Sequence, residues 1–207
     1  MTDALFVVSE EGYWAEECIE PLTTLESEGV DVTVATPSGS PPVVDERSLD
    51  PEAAGGEERV AELREVDEEH PELNDPEPIA TVDADGYEAV VFPGGHGTVW
   101  DVNQDRHARQ LLLDAVAGDD GVALVVCHAV GILGFTREAD GTPRVEWRAV
   151  TGFPNDWEDG IVDDHDVMPD GRKLPYWVED EVRLAGADWD AELDADTSVT
   201  VDGDLIT

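Results

Sequence analysis

The segment Ala123–Phe135, ALVVCHAVGILGF, places a thiol and an imidazole side by side at the end of an apolar run. Ala123–Val126 lead straight into Cys127, and His128 follows at once. A thiolate with a neighbouring base attacks carbonyl carbon and forms a covalent intermediate. The competing reading of such a cysteine is a buried structural residue, the common fate of a free thiol. A second segment, FPGGHGTVWD at Phe92–Asp101, weighs against it. Gly94 and Gly95 let the backbone approach a ligand closely. Their N–H groups are positioned to face the oxyanion formed when Cys127 attacks a carbonyl. His96 belongs to the same turn and is expected to line the pocket without transferring a proton. No spacing of histidine, cysteine and carboxylate matches a zinc site, so neither a metal nor another cofactor is expected. His70, His107 and His165 read most simply as surface residues, and Cys18 as core.

Both segments need a scaffold that ends two strands at one edge. ALFVVS (Ala4–Ser9) reads as a buried strand, Gly12–Val30 as a loop and helix closed by Gly29, and DVTVATP (Asp31–Pro37) as a second strand. Pro21 is expected in the first turn of that helix or at a kink. This strand, loop, helix and strand within 40 residues is the unit of a parallel sheet. Ser38–Pro78 is rich in proline, glycine and acid, with one helix near Glu57–Val66, and reads as an excursion covering one end of the sheet. Tyr87–Gly95 is a strand ending in the glycine-rich turn, Asp105–Gly121 a helix and Val122–Cys127 the next strand. Leu174–Ala185 reads as a late helix, and Ser198–Val201 with Leu205–Thr207 as a closing hairpin. The expected fold is a single α/β domain over residues 1–207, doubly wound, with a mostly parallel sheet and helices on both faces. Ligands bind such sheets at the carboxyl ends of the strands, where Cys127 and Gly94–Gly95 fall.

Composition narrows the partners. The 207 residues include 51 Asp and Glu against 11 Lys and Arg, a net charge of −40. Nucleic acid and anionic membranes require a basic face and are not expected partners. Apolar residues still make up 41% of the chain, enough for a core. Acids spread from Asp3 to Asp204 with few lysines suit a salt-rich cytoplasm, where salt screens self-repulsion. The N-terminal MTDALFVVSEEG has no basic region of a signal peptide, no apolar run is long enough for a membrane helix, and the two cysteines are expected reduced.

VFPGGHGTVWD and VVCHAVGIL together resemble the two main motifs of the PfpI superfamily, within the class I glutamine amidotransferase-like, flavodoxin-like fold. GYWAEECIEP, DERSLDP and VTGFPNDWED are similar to the branch of glutathione-independent glyoxalase III enzymes and heat-shock chaperones, and the resemblance runs from about Leu5 to Thr207. It implies that Cys127 is the nucleophile, that Glu17 approaches the thiol from the first helix, and that Glu158 orients His128. It also implies that Gly95 and the His128 backbone N–H are the oxyanion donors. Asp156 and Asp159 lie close enough to Glu158 to substitute for it. Two features depart from the pattern. Ala129-Val130 stands where the family often has Gly-Pro, and the family continues beyond the LIT segment into a C-terminal helix expected to be missing here.

The activity implied is conversion of methylglyoxal, a small 2-oxoaldehyde, to lactate through a Cys127 hemithioacetal. Either Glu17 or His128 is the base. The alternatives are a holdase chaperone, with a homodimer as one assembly, and a cysteine hydrolase of the deglycase or peptidase kind.

Overall fold

The structure is a computed structural model that describes residues 3–117, 121–190 and 198–207. The strands are β1 (Asp3–Val7), β2 (Asp31–Thr36), β3 (Glu77–Pro78), β4 (Ala89–Phe92), β5 (Val122–Val125), β6 (Ala149–Val150), β7 (Asp188–Trp189), β8 (Val201–Asp202) and β9 (Leu205–Ile206). The helices are α1 (Ala15–Ser27), α2 (Glu57–Glu69), α3 (Pro71–Asn74), α4 (Arg106–Ala115), α5 (Gly131–Phe135), α6 (Asn155–Glu158) and α7 (Val178–Leu184). Among the described residues a seven-stranded sheet runs β3-β2-β1-β4-β5-β9-β8, parallel except for the β8–β9 pair. A small separate pair joins β6 to β7. The chain moves outward from β1 to β2 and then crosses back to β4 on the other side. The carboxyl ends of β1 and β4 therefore flank the crevice where the strand order reverses.

Sequence periodicity explains the packing. In β1, Ala4, Leu5, Phe6 and Val7 are all fully buried, as a strand covered on both faces requires. In α1 the buried residues are Ala15, Cys18, Ile19 and Leu22, spaced as one helical face against the sheet. Pro21 lies in the second turn of α1, not the first, and removes the backbone bond that would reach the Glu17 carbonyl. α7 begins at Val178, later than the sequence pattern suggests, because Leu174 precedes Pro175 and is kept out of helical conformation. The predicted helix from Asp105 ends within the described residues at Ala115, and residues 118–120 of that prediction lie outside them. The closing hairpin pairs Val201 with Ile206 and Asp202 with Leu205, extended by reciprocal Thr200–Thr207 backbone bonds.

The excursion between β2 and β3 folds back over α1. Leu49, Ala54 and Leu63 bury against Ala15 and Ile19. Tyr13 exchanges backbone bonds with Val43 and Asp45 at 2.9 and 2.8 Å. No helix among the described residues is long and apolar enough to cross a membrane.

With 51 acids and 11 basic residues, most carboxylates have no cation to pair with. The compact state must therefore bear their mutual repulsion, which ions screen over a Debye length of about 3 Å at 1 M and about 30 Å at 0.01 M. Melting curves from molar to millimolar KCl are expected to show a falling Tm. An unchanged Tm would contradict this account of the surface.

Candidate active site

Three strand ends deliver the site. β5 ends at Val125, and Cys127 opens a 3-10 turn, Cys127–Val130, with φ at +55°. That left-handed conformation is uncommon for a residue with a side chain and marks a strained elbow. The carbonyl after it is tied down, since buried Asn103 donates from Nδ2 to the His128 carbonyl at 2.8 Å. Ala129 and Val130 are both fully buried, and the Ala129 N–H finds the Val126 carbonyl at 2.9 Å, so the elbow forms without Gly-Pro.

β4 ends in the glycine turn. A Cβ on Gly94 would come within 2.3 Å of Glu17 Oε2 and 2.6 Å of the Cys127 Cβ, so only glycine lets the two meet. Gly95 has φ at +104°, and a Cβ there would strike the Trp14 backbone nitrogen at 2.5 Å. The N–H groups of Gly95 and His128 both face the Cys127 sulfur.

β1 leads into α1, whose second and third residues are Glu16 and Glu17. The loop between them is fastened to the glycine turn: Trp14 N–H donates to Gly94 O at 3.0 Å and Gly97 N–H to Gly12 O at 2.9 Å. Asp101 closes this joint, accepting from Ser9 Oγ and from the Glu10 N–H at 2.8 Å. Its carboxyl is pushed up to about 6, chiefly by burial. α1 has no side-chain cap of its own, but Ser48 of the excursion accepts from the Ala15 N–H at 3.0 Å. Glu17 is thereby held against the Cys127 thiol and the Gly94 N–H.

A helix N-terminus after a cysteine would favour its thiolate, but the packing at Cys127 outweighs that effect. The helix after the elbow, α5, has five residues and starts only at Gly131. A helix end contributes about 0.3–1 kcal/mol, whereas burying an ionisable group reaches several kcal/mol. Burial and then the Glu17 charge push the Cys127 thiol up, opposed by the His128 and Gly95 N–H groups. Glu17 itself is pushed up to about 7, above all by burial. Its Oε2 is buried without a hydrogen-bond partner.

Behind the thiol lies a run of hydrogen bonds. Cys127 Sγ is 3.3 Å from His128 Nδ1, and His128 Nε2 is 2.8 Å from Glu158 Oε2. Glu158 Oε1 is 3.0 Å from His96 Nε2, and His96 Nδ1 is 3.0 Å from an Arg47 guanidinium nitrogen. Glu158 is buried, while Asp156 and Asp159 are exposed and outside the network. Burial lowers His128 to about 4, keeping its ring neutral. Glu158 is held down to about 2 by hydrogen bonds from the two histidines, which overcome the opposing effect of burial. Phe153 stacks on the His128 ring at 4.3 Å. His96, His128 and Glu158 are close enough to ligate a cation, their ligand atoms lying within 4.8 Å of one another. Arg47 opposes that use: a guanidinium only donates, so His96 keeps its proton on the nitrogen that would face the ion.

The network opens onto a cavity of about 760 Å³ with Cys127 and Glu17 in its wall. Trp14, Phe153, Trp157, Ile161 and Val199 make most of its surface apolar. Cys18, one residue from Glu17, points away into the core and is fully buried. His165 is exposed, while His70 and His107 are partly covered, and all three lie outside this cavity. Nothing in the sequence alone marks Arg47, Asn103 or Asp101 as site residues. Arg47 lies inside the DERSLDP motif, and Asp101 closes the motif of the glycine turn.

A doubly wound sheet with this strand order is the flavodoxin-like fold that the chain shares with ThiJ/PfpI and DJ-1 structures. No family model matches the chain. It is 27% identical over 199 residues to the glutathione-independent glyoxalase HSP31 of Saccharomyces cerevisiae, covering 95% of this chain and 81% of that one. It is 24% identical over 198 residues to Glyoxalase 3 of Candida albicans, covering 95% and 82%. The crystal structure of glyoxalase III from Candida albicans matches with a TM-score of 0.82 at 21% identity, over 99% of this chain and 89% of that one. Drosophila melanogaster DJ-1beta matches with a TM-score of 0.61 at 19% identity, over 100% and 81%.

Proposed function

We propose that this protein is a cytoplasmic, cofactor-independent glyoxalase that converts methylglyoxal to lactate without glutathione. The observation that carries the reading is Glu17: a carboxyl pressed against the Cys127 thiol, poised at about 7, with one oxygen unclaimed. A residue that must take and return protons near neutral pH works best with such an affinity.

The steps follow from the positions of the groups. Glu17 takes the thiol proton as the sulfur adds to the aldehyde carbon C1. The new C1 oxyanion sits at the Gly95 and His128 N–H groups and takes the proton back, giving a neutral hemithioacetal. Glu17, again a carboxylate, removes the C1 hydrogen, and the C1 hydroxyl passes its proton to the C2 oxygen, leaving an enediolate. Return of the proton from Glu17 to C2 leaves a lactoyl thioester on Cys127. C1 is oxidised and C2 reduced within one molecule, so no external oxidant is needed. His128 Nδ1 then takes a proton from water as it attacks the thioester, with Glu158 stabilising the imidazolium. The tetrahedral intermediate collapses to lactate and free thiol.

The direct test is lactate formation from methylglyoxal by purified protein in high salt, without glutathione and with EDTA present. Turnover is expected under both conditions. No lactate, or turnover only with glutathione or added metal, would defeat the reading. A holdase would instead suppress aggregation of an unfolding client equally well with Cys127→Ala.

A further inference from the structure

Arg47 and His96 are not part of the chemistry above, yet both nitrogens of His96 are engaged and its ring is 3% exposed. We infer that Arg47 is a positioning residue that locks the His96 proton on Nε2, so that Glu158 keeps a donor on each oxygen and stays in place against His128. This inference rests on the proposed glyoxalase chemistry for its rate consequence, but not for its tautomer consequence.

Donor counting fixes where the protons sit. A guanidinium has no acceptor, so Arg47 must donate to His96 Nδ1, which therefore carries no proton. The proton of a neutral His96 is then on Nε2 and points at Glu158 Oε1. Glu158 Oε2 faces His128 Nε2, where a carboxylate requires a donor. His128 must then present the Nδ1 lone pair to Cys127 Sγ. The guanidinium fixes the His96 proton and the Glu158 carboxylate fixes the His128 proton, so both histidines of the network are set. Asp45 holds the guanidinium in place through Nε at 3.0 Å and through a second, shorter contact. The groups facing His96 are Arg47, Glu158, the His128 ring at 3.8 Å and the Phe153 ring at 5.9 Å.

Without Arg47, nothing fixes the His96 proton on Nε2, and the Nδ1–H tautomer would turn a lone pair toward Glu158 Oε1. Glu158 must then shift to recover a donor, which weakens its hold on the imidazolium that forms on His128 when it accepts a proton from water. That proton transfer follows binding of the aldehyde, so the loss is read in kcat far more than in KM, although Arg47 and His96 also line the cavity.

The test pairs Arg47→Met, which has no donor, with Arg47→Lys, which restores one. With methylglyoxal, Arg47→Met is expected to lower kcat about 10-fold with KM within twofold, and Arg47→Lys to recover most of it. ¹⁵N spectra of histidine-labelled wild-type protein, recorded near neutral pH without substrate, are expected to show both His96 and His128 as Nε2–H tautomers. Arg47→Met is expected to change the His96 signals. An imidazolium or Nδ1–H tautomer at His96 in the wild type would overturn the inference whatever the substrate. So would unchanged kcat in Arg47→Met, a change in KM alone, or equal losses in Met and Lys. If wild-type protein made no lactate, the glyoxalase reading would fail and the tautomer result would still decide this one.

Discussion

Cys127→Ala is expected to abolish lactate formation, by more than about 10³-fold, while leaving the melting curve close to that of the parent. In the proposed mechanism the thiol supplies the covalent bond on which every later step depends, and no other nucleophile among the described residues lies against both Glu17 and the Gly95 and His128 N–H groups. Alanine keeps the Cβ that packs beside Gly94 and removes only the sulfur. Brief iodoacetamide treatment of the parent should label Cys127, which opens on the cavity, before Cys18, which is fully buried with its thiol pushed up by burial. Residual lactate in the alanine variant, or faster labelling of Cys18, would remove Cys127 from the mechanism.

Glu17→Gln is expected to lower turnover by about 10²–10⁴-fold, the usual cost of losing a general acid–base group. It should also stabilise the fold, and with a definite pH dependence. Unfolded, the carboxyl titrates near 4.5; folded, it is raised to about 7. Between those values the unfolded chain releases a proton that the folded chain retains, so this group's contribution to stability falls as pH rises through that window. Above pH 7 the penalty is on the order of 3 kcal/mol. Glutamine removes it. Urea unfolding should therefore find Glu17→Gln more stable than the parent at pH 8, with the difference fading below about pH 4.5. Glu62→Gln, which loses only an exposed pair with Arg59, should change neither turnover nor stability by more than about 0.5 kcal/mol. Near-normal turnover by Glu17→Gln would leave His128 as the proton carrier.

Much of this architecture is written in short-range patterns. The buried run of β1, the helical spacing of Ala15, Cys18, Ile19 and Leu22, and the glycines closing each unit are all local signals. Cys127-His128 and Gly94-Gly95 can be singled out because each is a rare adjacent pair at a strand end. Glu17 and Glu158 are different. Among 51 acids nothing intrinsic marks them, and only the words around them do. Arg47, Asp101 and Asn103 were beyond reach because their meaning lies in partners 49, 92 and 25 residues away. The state of the thiol was equally hidden, since burial and the length of α5 are properties of the packed protein.

The wide separation of those partners bears on how the protein comes into being. The site draws on α1, the excursion, the ends of β4 and β5, and α6, and no two neighbouring elements contain it. Bringing these together requires many long loops to close, which is entropically slow and rewards the chain only late. On a growing or refolding chain Cys127 is therefore an ordinary thiol beside an ordinary histidine. Under the proposed mechanism, reactivity toward aldehydes would arise only when the whole sheet has been laid down, so activity would report complete folding in a way that helix content does not.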